Sequence, residues 1–414
     1  LDATVQITEP SSYGNRFIDD ADLAIALDGG TLTVGGTATT PEGAFDLALT
    51  GRPFAASGPS FAFDATSYRD LDASEFAVTA PRTSLTGCFS GSIAGLPDLS
   101  TASASGTVTL QPSRIGDAEV EDGRVVFALQ DGALDGSLEA QLASPFPDPG
   151  VAEGGRLDAT FGGRPFDEVP SYDLQGTTDR LDVALLLDLP PEQPLRLTTA
   201  FDVAGRGTDP ETMTLGGSVA SRSSVVGPVA LDTLRAQFGL ASGVLRVDTL
   251  LVDSDLIDAR GGGVLALFDV QAASDFGIEG EVESLAPLVA EGDGTLGLEQ
   301  GTFVLRAESD PGAPLRIIGT SEARQFVYSQ TAETLSGQTE TVTYAVTGLN
   351  TALDASWDRA AADSLGLDAF AGEVRASFDQ FSQRPEGGKP IQVRQGSARL
   401  RADLPLDPHR FGPA

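Results

Sequence analysis

Apolar and polar residues alternate one by one through short runs of this chain, and each run stops at Gly, Asp, Pro or Asn. In TVTYAVTGLN, Val342, Tyr344 and Val346 alternate with Thr341, Thr343, Ala345 and Thr347. In SARLRADLPL, Ala398, Leu400, Ala402 and Leu404 alternate with Arg399, Arg401 and Asp403, and LTTAFDVAGRG and VRASFDQF read alike. A period of two places successive side chains on opposite sides of a strand, so these runs predict antiparallel strands with one apolar and one polar face. The punctuating segments LDGG, EDGR, QDGAL, ASGV and EGDG predict tight turns between them. Helix is expected only at Leu231–Phe238, Leu285–Ala290 and Arg359–Phe370. The expected fold class is all-β: antiparallel sheet with few short helices.

Composition narrows the function classes. The chain has 414 residues, 41% of them hydrophobic, enough to cover one face of a large sheet. Sixty acidic against 26 basic residues give a formal net charge of −34. Such a surface repels phosphate backbones, so no nucleic-acid partner is expected. Lys389 is the sole lysine, and an acidic, lysine-poor surface is what keeps a protein soluble at high salt. Cys88 is the only cysteine and His409 the only histidine, which removes disulfides, thiolate zinc sites and a Ser-His-Asp triad. Neither a cofactor nor a metal is expected, and the chain reads as a non-enzyme. No apolar run is long enough for a membrane-spanning helix. The chain opens within a strand pattern, LDATVQITEP, without a signal peptide, and reads as a fragment or processed piece of something longer.

Weak internal repetition is present. FAFDATSYRDLDAS (Phe61–Ser74), YDLQGTTDRLDVA (Tyr172–Ala184) and FGIEGEVESLAPL (Phe276–Leu288) each run aromatic, apolar two on, small two on again. GRPF precedes the first two, at Gly51–Phe54 and Gly163–Phe166. The Pro/Gly-rich segments Ser144–Gly155, Leu189–Pro194 and Ser309–Pro314 read as loops between strand groups in one continuous segment, 1–414, with sub-boundaries near 144–155 and 309–314. DSDLID (Asp253, Asp255, Asp258) and EGDG (Glu291, Asp293) lack calcium-loop spacing and read as solvated turns. Gly261–Gly263 reads as a turn, and Trp357 and Cys88 as buried packing residues. Carboxylate pairs for glycoside hydrolysis lack the aromatic platforms that usually accompany sugar binding. Aromatic girdles for a membrane barrel are equally thin.

The stretch Val229–Val270, VALDTLRAQFGLASGVLRVDTLLVDSDLIDARGGGVLALFDV, has a specific order: amphipathic segment, strand, Gly turn, Asp/Leu-rich strand, glycine bend and apolar closing strand. It resembles the repeating unit of the AsmA-like and TamB-like envelope proteins of Gram-negative bacteria, with Leu234, Phe238, Gly243, Leu245, Leu250, Leu256, Gly261 and Leu265 at the corresponding places. Arg114–Ala140 and Ala21–Leu49 are weaker echoes. The resemblance implies a curved sheet with an apolar concave groove, a β-taco, that shelters or conducts lipid between inner and outer membrane or supports outer-membrane biogenesis. It implies phospholipid acyl chains as ligand, an outer-membrane assembly protein as partner, and a periplasmic location. The full-length protein would be anchored in the inner membrane, touching membranes through flanking segments. This chain departs from the family's full-length form in lacking the N-terminal anchor and an identifiable C-terminal partner-binding region.

Burial of an acyl chain yields about 0.8 kcal/mol per CH₂, so an apolar trough needs no catalytic group. Alternation nominates Phe201, Val203, Leu245, Val247, Leu265, Val342, Tyr344 and Val346 as groove residues. The competing expectation is a secreted or surface β-repeat module, an adhesin or spacer with closed apolar cores. A parallel solenoid is disfavoured because no short fixed repeat appears.

Overall fold

The computed structural model describes all residues except 14–15, 42, 57, 73, 75–81, 97, 99, 117, 144–154, 187–194, 228, 284–294, 334–338, 358–369, 386–388 and 404–414. The described chain is β-structure almost throughout, as the alternation requires, and it divides into two units, Leu1–Gly207 and Thr208–Ala414.

In the first unit the strands are β1 (Asp2–Ile7), β2 (Ser11–Tyr13), β3 (Arg16–Ile18), β4 (Asp20–Asp28), β5 (Thr31–Thr40), β6 (Gly43–Arg52), β7 (Ser60–Leu71) and β8 (Thr83–Ala94). There follow β9 (Ser103–Leu110), β10 (Ser113–Ile115), β11 (Ala118–Gln130), β12 (Ala133–Leu142), β13 (Arg156–Arg164), β14 (Ser171–Asp182), the one-turn helix α1 (Val183–Leu186) and β15 (Leu195–Arg206). β4 to β9 pair in sequence order, β1 lies beside β4, and β11 to β15 continue from β9, all antiparallel. β9 and β10 share one strand position between β8 and β11. Pro112, with no N–H to give to a ladder, lies in the gap between them. β2 and β3 form a separate small hairpin.

The second unit comprises β16 (Thr214–Val226), β17 (Val229–Ala241), β18 (Val244–Ser254), β19 (Ile257–Ala266), β20 (Ser274–Val282), β21 (Thr295–Ser309), β22 (Leu315–Glu333), β23 (Thr339–Trp357), β24 (Phe370–Pro385) and β25 (Ile391–Asp403). Each pairs antiparallel with the next.

Three of the expected turns are two-residue hairpin loops with both residues at positive φ: Gly29–Gly30 (58° and 83°), Asp131–Gly132 (49° and 76°) and Ser242–Gly243 (49° and 76°). That is type I′ geometry, whose twist matches the strands it joins. Ser309–Pro314 likewise joins β21 to β22. The expected loops at Leu189–Pro194 and, but for Gly155, Ser144–Gly155 lie outside the described residues, as do EGDG and the helix at Leu285–Ala290. The third expected helix lies there too, except for its last residue, Phe370, which opens β24.

Three local expectations are corrected. EDGR lies inside β11, beside a bulge at Val120/Asp122, with Gly123 buried against Leu110. Gly261–Gly263 lies inside β19, not in a turn. A Cβ on Gly261 would stand 2.6 Å from the Gly277 carbonyl and 2.8 Å from Ile278 Cγ1, so glycine serves close strand approach there. Leu231–Phe238 is strand β17, not helix. Its apolar residues Leu231 and Leu234 stand three apart, a helical spacing. In the sheet that spacing arises from Ser223 at φ 48° in β16, in register with Asp232, and from a bulge at Leu231/Thr233.

A related irregularity creases the second unit. Gln300 (φ 51°), Gly348 (φ 60°) and Gln395 (φ 53°) lie in β21, β23 and β25, and the registers align them across Arg324 in β22 and Asp379 in β24. A left-handed residue turns the strand over by one step, so residues three apart share a face across it. Phe378 and Phe381 accordingly meet with ring centroids 6.4 Å apart. A Cβ on Gly301 would collide with Leu298.

Candidate functional site

Directly opposed residues of neighbouring antiparallel strands project from the same face, so the registers assign every described strand residue to a side. In the first unit one cross-strand row reads Ala3, Ile25, Val34, Leu49, Phe63, Gly91, Gly106, Phe127, Gly136, Phe161, Leu174, Val203. No polar side chain interrupts it. The row on one side, from Leu27 through Phe61, Ile93 and Leu129 to Tyr172, is apolar or glycine up to that tyrosine. The row on the other side contains Leu23, Leu47, Phe89, Val108, Val125, Leu138 and Phe201. The opposite face reads Gln6, Asp22, Thr37, Asp46, Ser67, Cys88, Thr109, Arg124, Glu139, Asp158, Thr177.

Glycine and aromatic residues are matched across the apolar face. A Cβ on Gly136 would collide with the Phe161 ring, and one on Gly51 with Phe61. A Cβ on Gly176 would lie 2.8 Å from Phe201 Cζ, and one on Gly106 2.7 Å from Phe89 Cε2. The rings therefore lie down over the neighbouring glycines. Phe89 and Phe127 are nearly parallel, 5° between planes at 6.4 Å, and Phe63 joins Phe89 at 5.3 Å. Tyr68 lies over Gly87 in the same manner, and its hydroxyl donates to the Thr109 carbonyl at 3.2 Å. Burial, then the charge of Cys88, pushes the Tyr68 phenol up from its ordinary pKa.

Among the described residues, a closed core lies at one end of this face. Val120, Leu142 and Leu181 are buried there, with Leu110, Ile115, Leu157 and α1 residue Val183 against them. Elsewhere the face is half-buried: Phe63, Phe127, Leu49 and Val203 keep partial exposure, and Leu174 is 41% exposed.

The second unit repeats the arrangement. One row runs Gly217, Phe238, Val247, Gly263, Phe276, Ala307, Ile317, Ala355, Gly372, Ala402. The next includes Leu250, Ile278, Leu305, Leu353, Val374 and Leu400. Leu305, Val374 and Leu400 are 37, 39 and 69% exposed. Beyond the crease the apolar face continues through Leu298, Phe326, Val346, Phe381 and Val393. Tyr328 and Tyr344 stack beside them at 6.2 Å.

All eight nominated residues stand on these faces, half-buried. Phe201 and Val203 belong to the first unit. Leu245, Val247 and Leu265 lie together on β18 and β19, and Val342, Tyr344 and Val346 lie across the crease on β23. Sequence reading missed the first unit's aromatic residues Phe63, Phe89, Phe127 and Phe161. Their signal was a phenylalanine at strand period with a glycine one strand away.

Of the remaining residues singled out in the sequence, Asp253 and Asp258 oppose each other and Asp255 accepts the Ala230 N–H at 3.0 Å, which is turn capping. Cys88 is not buried: it is half-buried on the polar face, Sγ 2.9 Å from Thr109 Oγ1, and Trp357 is half-buried as well. His409, Glu291 and Asp293 lie outside the described residues. Among the described residues, no three potential His, Cys, Asp or Glu metal ligands come together, and no helix is long and apolar enough to cross a membrane. Comparison with protein-family models, curated proteins and solved structures returns no match.

Proposed function

We propose that the chain is a non-enzymatic sheet scaffold that shelters the acyl chains of phospholipid, in the manner of the AsmA-like and TamB-like envelope proteins its sequence resembles. The observation that carries this reading is the unbroken apolar row across the first unit, from Ala3 to Val203, which among the described residues meets a packed core at one end. A sheet normally buries such a face against a second layer. Here it stays half open, and large continuous apolar surfaces mark sites of binding. Each methylene contributes up to about 0.8 kcal/mol, less where one side stays open, so retention grows with the length of acyl chain covered and needs no polar contact. A role in lipid movement between the two membranes, or in outer-membrane biogenesis, follows from the same resemblance, as does a periplasmic location.

Native mass spectrometry of the chain purified without detergent, followed by lipid extraction, tests the reading. The expected result is about one or more phospholipids per chain, lost in Val342→Arg/Tyr344→Arg and in Phe63→Arg/Phe127→Arg, with circular dichroism verifying the sheet in each variant. A clean protein mass that takes up no offered fluorescent phospholipid would overturn it and favour the surface β-repeat module.

A further inference from the structure

The polar face of the second unit carries an arrangement that an acyl-chain scaffold does not need. Acidic residues outnumber basic ones 60 to 26 in the whole chain. Around one open cavity of about 420 Å³ that balance is reversed. Arg316 of β22, Arg375 of β24 and Arg401 of β25 line it, together with Asp354 and Glu373.

The register dictates the juxtaposition. Asp354, Glu373 and Arg401 stand in one cross-strand row, and Arg375 faces Arg399 in the adjacent one. Like charges directly opposed are destabilising. Glu373 relieves this pair by accepting from Arg375 Nε on one carboxylate oxygen and from Arg399 on the other. Arg316 grips Asp354 through two hydrogen bonds of 2.9 and 2.8 Å. Those arginine hydrogen bonds hold both carboxyls below their ordinary pKa, so both are ionised at neutral pH.

Both carboxylates are thereby occupied. Arg401, opposite Glu373 in register, forms no ion pair among the described residues. Among the described side chains, four guanidinium groups face two fully engaged carboxylates, with Glu308 a more distant 3.8 Å from Arg316. A planar guanidinium with free N–H donors is matched by an oxyanion that accepts two hydrogen bonds side by side.

We propose that this cavity binds a phosphate-type oxyanion, with Arg401 as its principal donor and Arg316 and Arg375 flanking it. The oxyanion comes either from free phosphate or from a phospholipid headgroup at a membrane surface. The site lies on the face opposite the apolar rows, so it stands or falls independently of the acyl-chain reading.

Calorimetric titration of the full chain with inorganic phosphate at low ionic strength tests the site, alongside flotation with phosphatidylglycerol or phosphatidylcholine vesicles. Elsewhere the charge of −34 repels anions, so binding at low salt reports a local site. The expected result is saturable phosphate binding whose Kd rises at least tenfold in Arg401→Gln and is unchanged in Arg124→Gln, on the first unit's polar face. Arg401→Lys, which keeps the charge and loses the fork, should fall between. Phosphate binding with Arg401-dependent flotation on phosphatidylglycerol alone identifies a headgroup; phosphate binding without flotation identifies the free ion. No heat and no flotation with the unaltered chain, or equal affinity in all three variants, overturns the site.

Discussion

Gly136 in β12 stands directly opposite Phe161 in β13, and the phenyl ring occupies the space that any side chain at Gly136 would need. The same partnership joins Gly51 to Phe61 and Gly176 to Phe201. Rings lying flat over glycines seal the backbone and leave the face above them level. A bulkier residue beneath would lift the ring into the space a ligand would use.

Gly136→Ala therefore reverses an ordinary sign. In a strand, replacing glycine by alanine commonly stabilises by roughly 0.5–1 kcal/mol, because glycine loses more freedom on folding. Here overpacking against Phe161 should dominate, with a net loss of about 1–3 kcal/mol in urea unfolding. In the double variant with Phe161→Ala the Gly136→Ala penalty should disappear. Equal effects with and without the ring would refute the packing argument.

The closed end and the open face should respond differently to truncation. Leu142 is 3% exposed in the packed cluster, so Leu142→Ala is expected to cost about 2–5 kcal/mol. Leu49 is only half-buried on the open face, and Leu49→Ala should cost about 1 kcal/mol. Chemical denaturation of the two variants decides it, and similar losses would mean that the face is covered.

At the crease, two substitutions should act in opposite directions. Gly348→Ala places a Cβ at φ 60° and into Asp379, and should destabilise by at least about 1–2 kcal/mol. Gln395→Gly removes a side chain from φ 53° and should leave stability unchanged or raise it by up to about 1 kcal/mol. Melting temperatures that fall equally in both would contradict a left-handed crease.

Acid should loosen the ion-pair cluster of the second unit. Hydrogen bonds from Arg316 depress Asp354, and those from Arg399 and Arg375 depress Glu373. A carboxyl depressed in the folded state stabilises it above its unfolded pKa, about 4, and that contribution fades as pH falls through the folded value. Protonation elsewhere relieves the chain's self-repulsion in the same range, so the readout must be a difference. The melting-temperature advantage of the unaltered chain over Arg316→Gln should shrink between pH 6 and pH 3. A constant difference would show that the pair does not favour folding.

The alternation in TVTYAVTGLN and SARLRADLPL made strand and sidedness legible, because a period of two is a direct image of a sheet with unlike faces. The repeated phrases acquire a physical meaning in the registers. Phe61, Tyr172 and Phe276 stand opposite Gly51, Gly163 and Gly263, so aromatic-over-glycine pairing is part of what recurs. Reading failed where the backbone leaves its period. Around Asp232 the spacing of Leu231 and Leu234 imitated a helix, and Asp122–Gly123 had the letters of a turn while lying beside a bulge. A left-handed residue such as Gln300 or Gln395 has no compositional mark, so the crease that joins Phe378 and Phe381 on one side was not readable. The arginine cavity was hidden for another reason: its members come from four strands, and only register unites them.

In the second unit every described pairing joins a strand to the one that follows it in the chain. Its cohesion is thus close to one-dimensional, a sum of nearest-neighbour couplings rather than a single shared core. Loop-closure entropy stays small at every step, so ordering can begin at any tight hairpin and spread outward. Such an architecture lengthens or shortens by whole hairpins, and its span becomes a quantity that evolution can tune by insertion without redesigning what is already there.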